Sequence, residues 1–300
     1  MREPAAIEPG TATGGQAGDY ATLAKPRLNL LVVATTLAGY YMAAPQGLGW
    51  ALLLHTLVGT ALVASGASAF NQLLEIESDG LMRRTRARPL PSGRIEPRRA
   101  RAFALVLSLL GLTQLAIGVN LLAAAVAFVT LLTYTVFYTP LKKRTSLATV
   151  VGGIPGALPP MIGWAAVRNN LSLEAWILFG VVFLWQMPHF LAIAWMYRED
   201  YARGGFRMLP VVDHTGQITF QTVVLYILAL IPMGFAVTYV GMAGLLFMFG
   251  SFVLGSAMLF LGVRLYVERT DANARTLFFA SLIYLPALFV LLLADRGLGG

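Results

Sequence analysis

Nine apolar stretches of 17–25 residues recur along this 300-residue chain, at about 28–44, 50–74, 102–118, 121–138, 147–167, 174–196, 221–240, 243–263 and 276–294. A helix needs roughly 20 apolar residues to cross the hydrocarbon of a bilayer. Within lipid, only elements that satisfy every backbone group internally can span. The pattern therefore predicts an all-α, polytopic membrane protein of nine transmembrane helices. Charged residues make up 12% of the chain, against about 25% in soluble proteins. That deficit excludes a water-facing globule, and nothing in the pattern points to nucleic acid. The chain has no cysteine, which rules out disulfides, thiolate metal sites and a cysteine nucleophile. Residues 1–22, rich in Gly, Ala, Thr and Pro, are expected to form a disordered tail before a single domain covering 23–300.

Topology follows from the basic residues. With the N-terminus inside, 20 of the 22 Lys and Arg fall on inside segments, leaving Arg168 and Arg296 elsewhere. Twelve of the 14 acids lie on the same side, so one face carries both signs of charge. The Gly-Val-Asn turn at 118–120 and the glycine at 241 predict two antiparallel hairpins.

The charges on that face are patterned. Asn71, Glu75 and Asp79 recur every fourth residue where the second span leaves the membrane. At this spacing an amide and two carboxylates share one helix face, an oxygen strip suited to Mg²⁺ held with substrate phosphates. A solvated helix end is the alternative reading of the strip alone. Arginines at 83, 84, 86, 88 and 94 follow at once, around a stiff Pro-Leu-Pro-Ser-Gly run, and arginine forks match phosphate oxygens. Asp200, followed by Arg203 and Arg207, repeats the theme after the sixth span, and Tyr138 with Lys142, Lys143 and Arg144 follows the fourth. Taken alone, that basic triplet reads equally as a topology anchor.

The fifth span opens Gly152-Gly-Ile-Pro-Gly-Ala-Leu-Pro-Pro160. Either close helix packing or a bend that leaves a cavity fits such a run. His189, in Trp185-Gln-Met-Pro-His-Phe190, is an intramembrane polar residue. Such residues face a bundle interior and mark function, although a histidine satisfied by Gln186 or a backbone carbonyl fits equally.

These residues resemble a known family. The Asn71, Glu75, Asp79 strip is similar to the first signature of the UbiA-type intramembrane prenyltransferases. Met82-x-Arg-Thr-x-x-Arg-Pro-Leu-Pro-Ser-Gly93, Tyr138-Thr-Pro-Leu-Lys142, Trp185-Gln-x-Pro-His-Phe190 and Asp200-Tyr-x-x-x-Gly-Phe-x-Met-Leu-Pro210 resemble its haem O synthase branch, over roughly residues 22–290. The resemblance implies nine helices around a central cavity, and transfer of a farnesyl group from farnesyl diphosphate to a vinyl group of haem b, giving haem o, on the cytoplasmic face of the bacterial inner membrane. It implies Mg²⁺ on Asn71, Glu75, Asp79 and Asp200, with the diphosphate met by Arg84, Arg88, Tyr138, Lys142, Lys143 and Arg144. It also implies His189 against the haem, and a downstream haem A synthase or terminal-oxidase assembly as partner. The chain departs from the pattern at Gln72 and around Asp200, where Met196 and Gly204 stand at the neighbouring fourth positions. One firmly held Mg²⁺, or a contribution from Glu199, is the consequence. The alternative within the family is a quinone precursor or other aromatic acceptor. A transporter is disfavoured because the carboxylates cluster at the inside exits rather than mid-membrane.

Overall fold

The computed structural model describes residues 15–44, 47 and 49–298, with side chains as far as Asp295. The helices are α1 (Gln16–Ala24), α2 (Pro26–Ala43), α3 (Trp50–Leu74), α4 (Ile76–Leu81), α5 (Pro97–Gly118), α6 (Leu121–Leu132), α7 (Thr139–Leu141), α8 (Ala148–Ala157), α9 (Pro159–Arg168), α10 (Leu173–Met196), α11 (Arg198–Arg203), α12 (Leu209–Val212), α13 (Gln217–Tyr239), α14 (Leu245–Glu268) and α15 (Asp271–Leu298). A π-helical segment, Thr133–Tyr138, joins α6 to α7. The described residues contain no strand.

Among the described residues, eight helical stretches are long and apolar enough to cross a membrane. They match the second to ninth expected spans, and they make the chain a multi-pass membrane protein. The expected first span corresponds to α2, which has 18 residues and is not among the eight. Arg27, Asn29, two threonines and two tyrosines dilute its apolar character. Residues 1–14 of the expected tail lie outside the described residues, but Gln16–Ala24 is helical rather than disordered. Leu23 is fully buried beside Ala69 and Ala100, and Asp19 receives the Arg94 guanidinium at 3.0 Å. These anchors lie far along the chain, so local composition does not reveal them.

Adjacent helices pack as hairpins, and both predicted turns form. Asn120 caps α6 by accepting from the Ala123 amide at 2.8 Å, and Gly241 supplies a left-handed φ of 75° between α13 and α14. The fifth span breaks at Leu158 into α8 and α9. Its glycines serve close packing. A Cβ at Gly39 would strike the Pro160 carbonyl, and one at Gly163 the Thr36 carbonyl, so α2 and α9 cross backbone to backbone. Leu109, Phe249, Phe260 and Ile283 face outward, as side chains in contact with lipid do.

Gly163→Ala should therefore lower stability by about 1–3 kcal/mol, the usual cost of overpacking. Gly18→Ala, where nothing lies within 4 Å, should leave it unchanged or slightly higher. Thermal unfolding of both variants in detergent checks the contrast.

Candidate active site

The acid strip forms, across a kink. Glu75 leaves helical geometry at φ −109°, ψ 15°, between α3 and α4. The i to i+4 ladder nevertheless continues, with the Glu75 amide on Asn71 O at 3.1 Å and the Asp79 amide on Glu75 O at 2.7 Å. Asn71, Glu75 and Asp79 therefore stay on one face, and all three are buried.

Each carboxylate meets a cation. Lys142 Nζ donates to Glu75 Oε1 at 2.7 Å, and Arg88 Nη1 to Asp79 Oδ2 at 2.7 Å. Asn71 Nδ2 donates to Thr139 Oγ1 at 3.2 Å, which ties α3 to α7. The Lys142 ammonium lies 4.4 Å from the centre of the Tyr138 ring. Burial works against its charge, but Tyr138 and the Glu75 carboxylate hold it above the ordinary lysine range. The π-helical segment helps to present that ring: Thr139 Oγ1 bonds Tyr134 O, five residues back, at 2.8 Å. Gly152 leaves the space the ring occupies. A cavity of about 260 Å³ opens here, lined by Leu74, Glu75, Thr139, Pro140, Lys143 and Arg144. Glu75, Lys142, Lys143, Arg144 and Tyr138 are thus gathered as the sequence predicts.

A further cation joins them that the sequence reading missed. Lys25 Nζ reaches Asn71 Oδ1 at 3.4 Å. Burial, together with the Arg88 and Lys142 charges, pulls its ammonium down to about 7. Gln72 places it: its buried Nε2 donates to Thr22 O at 3.1 Å and Leu23 O at 3.0 Å, pinning the end of α1. A carboxylate could not donate to those carbonyls, which gives the unusual residue at 72 its physical reason.

Asp200 lies elsewhere. Its carboxylate accepts from the Arg83 amide at 3.3 Å, the Arg84 amide at 3.2 Å and Arg203 Nη1 at 2.9 Å. With Arg83, Tyr197, Glu199 and Asp271 it lines a second cavity of about 220 Å³. Arg84 turns the same way, 4.6 Å from the centre of the Tyr197 ring. Glu199 points outward, its side chain 80% exposed.

His189 is held between α10 and α15. Ser281 Oγ spends its proton on Phe278 O at 2.6 Å, so it accepts from His189 Nδ1 at 2.7 Å. That leaves Nε2 as the unprotonated nitrogen of the neutral ring. Trp185 stacks on the imidazole, with centroids 5.4 Å apart. Gln186 instead donates to Gly153 O at 2.6 Å, so the two polar residues serve different neighbours.

Residues 32–283 match the model of the UbiA prenyltransferase family. The chain belongs to this family. Among curated relatives, one from Solibacter usitatus named protoheme IX farnesyltransferase is 47% identical over 287 residues, covering 93% of this chain and 98% of that one. Another of the same name, from Myxococcus xanthus, is 44% identical over 281 residues, covering 93% and 95%. The fold is that of solved UbiA-type structures. A study of digeranylgeranylglyceryl phosphate synthase superposes with a TM-score of 0.78 at 17% identity, covering 93% of this chain and 98% of that one. A UbiA homologue from Archaeoglobus fulgidus bound to GPP and Mg²⁺ gives 0.64 at 14%, covering 91% and 99%.

For a UbiA family member the question is whether a divalent cation fits. At the acid strip it does. The donors are all oxygen, two are carboxylates, and Asp79 Oδ1 is buried without a hydrogen-bond partner. A hard cation completed by substrate oxygens suits such a set. Around Asp200 it does not: both carboxylate oxygens are spent on amides and Arg203. At Gly204 a Cβ would already stand 3.1 Å from Met82 Cγ.

Proposed function

We propose that this chain transfers a farnesyl group from farnesyl diphosphate to a vinyl side chain of haem b, giving haem o. The observation that carries the reading is the buried strip of Asn71, Glu75 and Asp79 against Lys142, Arg88 and Lys25. The relatives named protoheme IX farnesyltransferase support the choice of substrates. The reading includes nine spans with α2 as the first, the N-terminus inside, and the site on the cytoplasmic face of the bacterial inner membrane. The bias of 20 of 22 basic residues supports that orientation.

Chemistry begins with rupture of the allylic C–O bond, and the leaving diphosphate takes the electron pair. Stabilising the charge that develops on a leaving group is commonly the largest catalytic effect. Lys142, Arg88 and Lys25 stand on carboxylate or amide oxygens, from which they can pass to phosphate oxygens, and Lys143 and Arg144 line the adjoining cavity. Bound diphosphate, an opposite charge, favours the protonated form of Lys25, which burial and the Arg88 and Lys142 charges pull down to about 7. Asn71, Glu75 and Asp79 would hold Mg²⁺, which when bound neutralises phosphate charge and makes diphosphate a better leaving group. The vinyl carbon attacks the farnesyl cation. The positive charge passes to the carbon beside the porphyrin, where water adds and loses a proton. His189 is assigned to the haem, Nε2 being the nitrogen that Ser281 leaves available.

Mass spectrometry of haem from cells lacking their own haem O synthase tests the proposal. Expression of this chain should yield haem in which one vinyl group has become hydroxyethylfarnesyl, heavier than haem b by one farnesyl and one hydroxyl group. Unmodified haem b alone, with the protein present in the membrane, would overturn it and favour the quinone-type acceptor.

A further inference from the structure

Three inside segments meet above the acid strip, and contacts distant in sequence hold them together. Met82, Phe206 and Met208 form a separate buried apolar cluster, with Tyr201 and Val211 against it. The Arg207 amide donates to Lys142 O at 2.7 Å, joining the segment after α11 to the one after α7. Asp200 supplies the polar half of this junction by receiving two consecutive amides of the arginine segment, at 3.3 and 3.2 Å. Its side chain is 12% exposed and has Arg203 as counter-charge. Arg84 completes the contact from the other side, with Nη2 on the Tyr201 hydroxyl at 3.4 Å.

We infer that Asp200 is a positioning residue that latches the arginine segment 82–94 over the acid strip, and that it holds no metal. The inference rests on the reading of that strip as the diphosphate site. Carboxylate to amide bonds are charge-assisted and strong, and the Arg83 and Arg84 amides begin the turn that returns Arg88 to Asp79. Freed from Asp200, the segment would keep the Arg88 to Asp79 and Arg94 to Asp19 pairs, but its first turn would lose the hydrogen bonds that tie the Arg83 and Arg84 backbone to α11. Gly204 fits this role: it caps α11 close to Met82, where a Cβ would stand 3.1 Å from Met82 Cγ.

The test is Asp200→Asn, purified in lipid nanodiscs and measured three ways. Hydrogen exchange of peptides covering 82–94, read without metal, should quicken about tenfold, as expected for loss of a hydrogen bond to a charged group. Exchange in α13–α15 should stay unchanged, which confirms that the fold is intact. Mn²⁺ binding in the presence of inorganic diphosphate, followed by electron paramagnetic resonance, should match the unsubstituted protein. The KM for farnesyl diphosphate should rise while the KM for haem does not. Asp200→Ala, which removes both acceptors where asparagine keeps one, gives the same pattern at larger amplitude and serves if the first variant does not insert. Loss of Mn²⁺ affinity, or unchanged exchange in 82–94, overturns the inference. Because the exchange arm needs neither metal nor haem, its failure is separable from failure of the proposed reaction.

Discussion

Asp79→Asn should abolish farnesyl transfer, by about 10²–10³-fold or more, while the protein inserts and melts almost as before. The asymmetry follows from the two carboxylate oxygens. Oδ2 receives Arg88 at 2.7 Å, and Oδ1 is buried with no partner. Asparagine has the same shape and keeps one oxygen for Arg88. The arginine side chain is 25% exposed, so water can offset part of its lost counter-charge and the stability cost stays small. What asparagine cannot supply is a second anionic oxygen. The proposed Mg²⁺ site would fall from two carboxylates to one, and the charge that developing diphosphate needs would be missing. Turnover per inserted molecule, paired with a thermal melt, checks this. Near-normal turnover would remove the acid strip from the mechanism, and a large fall in melting temperature would make Asp79 a structural residue first.

What was legible in the sequence is what hydropathy and local spacing encode. The expected span 50–74 is α3 to the residue, because a bilayer dictates both length and polarity. The turn at 118–120 and the strip at 71, 75 and 79 are equally local. Other features depend on partners that composition does not name. The oxygens of Asp200 are taken by amides 117 and 116 residues away, so a carboxylate at a membrane exit looked like a metal ligand. Lys25 carries no local signal in the sequence, because its burial depends on Gln72 holding the end of α1. Gln72, noticed only as a departure from the family pattern, was the available signal. The small residues of the fifth span admitted either packing or a cavity. Only the crossing of α2 over α9, and the Tyr138 ring against Gly152, settle those positions as packing.

Lys142→Met should cost stability as well as activity. Lys142 and Glu75 form a mostly buried ion pair at 2.7 Å, with side chains 12% and 6% exposed. Removing one partner of a buried pair leaves an uncompensated charge, a loss of about 3–5 kcal/mol. Because the Lys142 ammonium is held above the ordinary lysine range, the sign of the pH effect is fixed. The stabilisation is fully present below the unfolded lysine value and is lost only as pH rises past it, so the deficit of the variant should be constant across the neutral range. Two further measurements separate an ion pair from simple packing. Lys142→Met combined with Glu75→Met should be less destabilised than the sum of the single variants, since no orphan charge remains. Divalent cations should restore part of the melting temperature of Lys142→Met, because a metal can neutralise the carboxylate that lysine has left. They should not rescue the double variant. Additive single effects, or a deficit that metal does not touch, would mean that Lys142 contributes through the packing of its side chain rather than through its charge on Glu75.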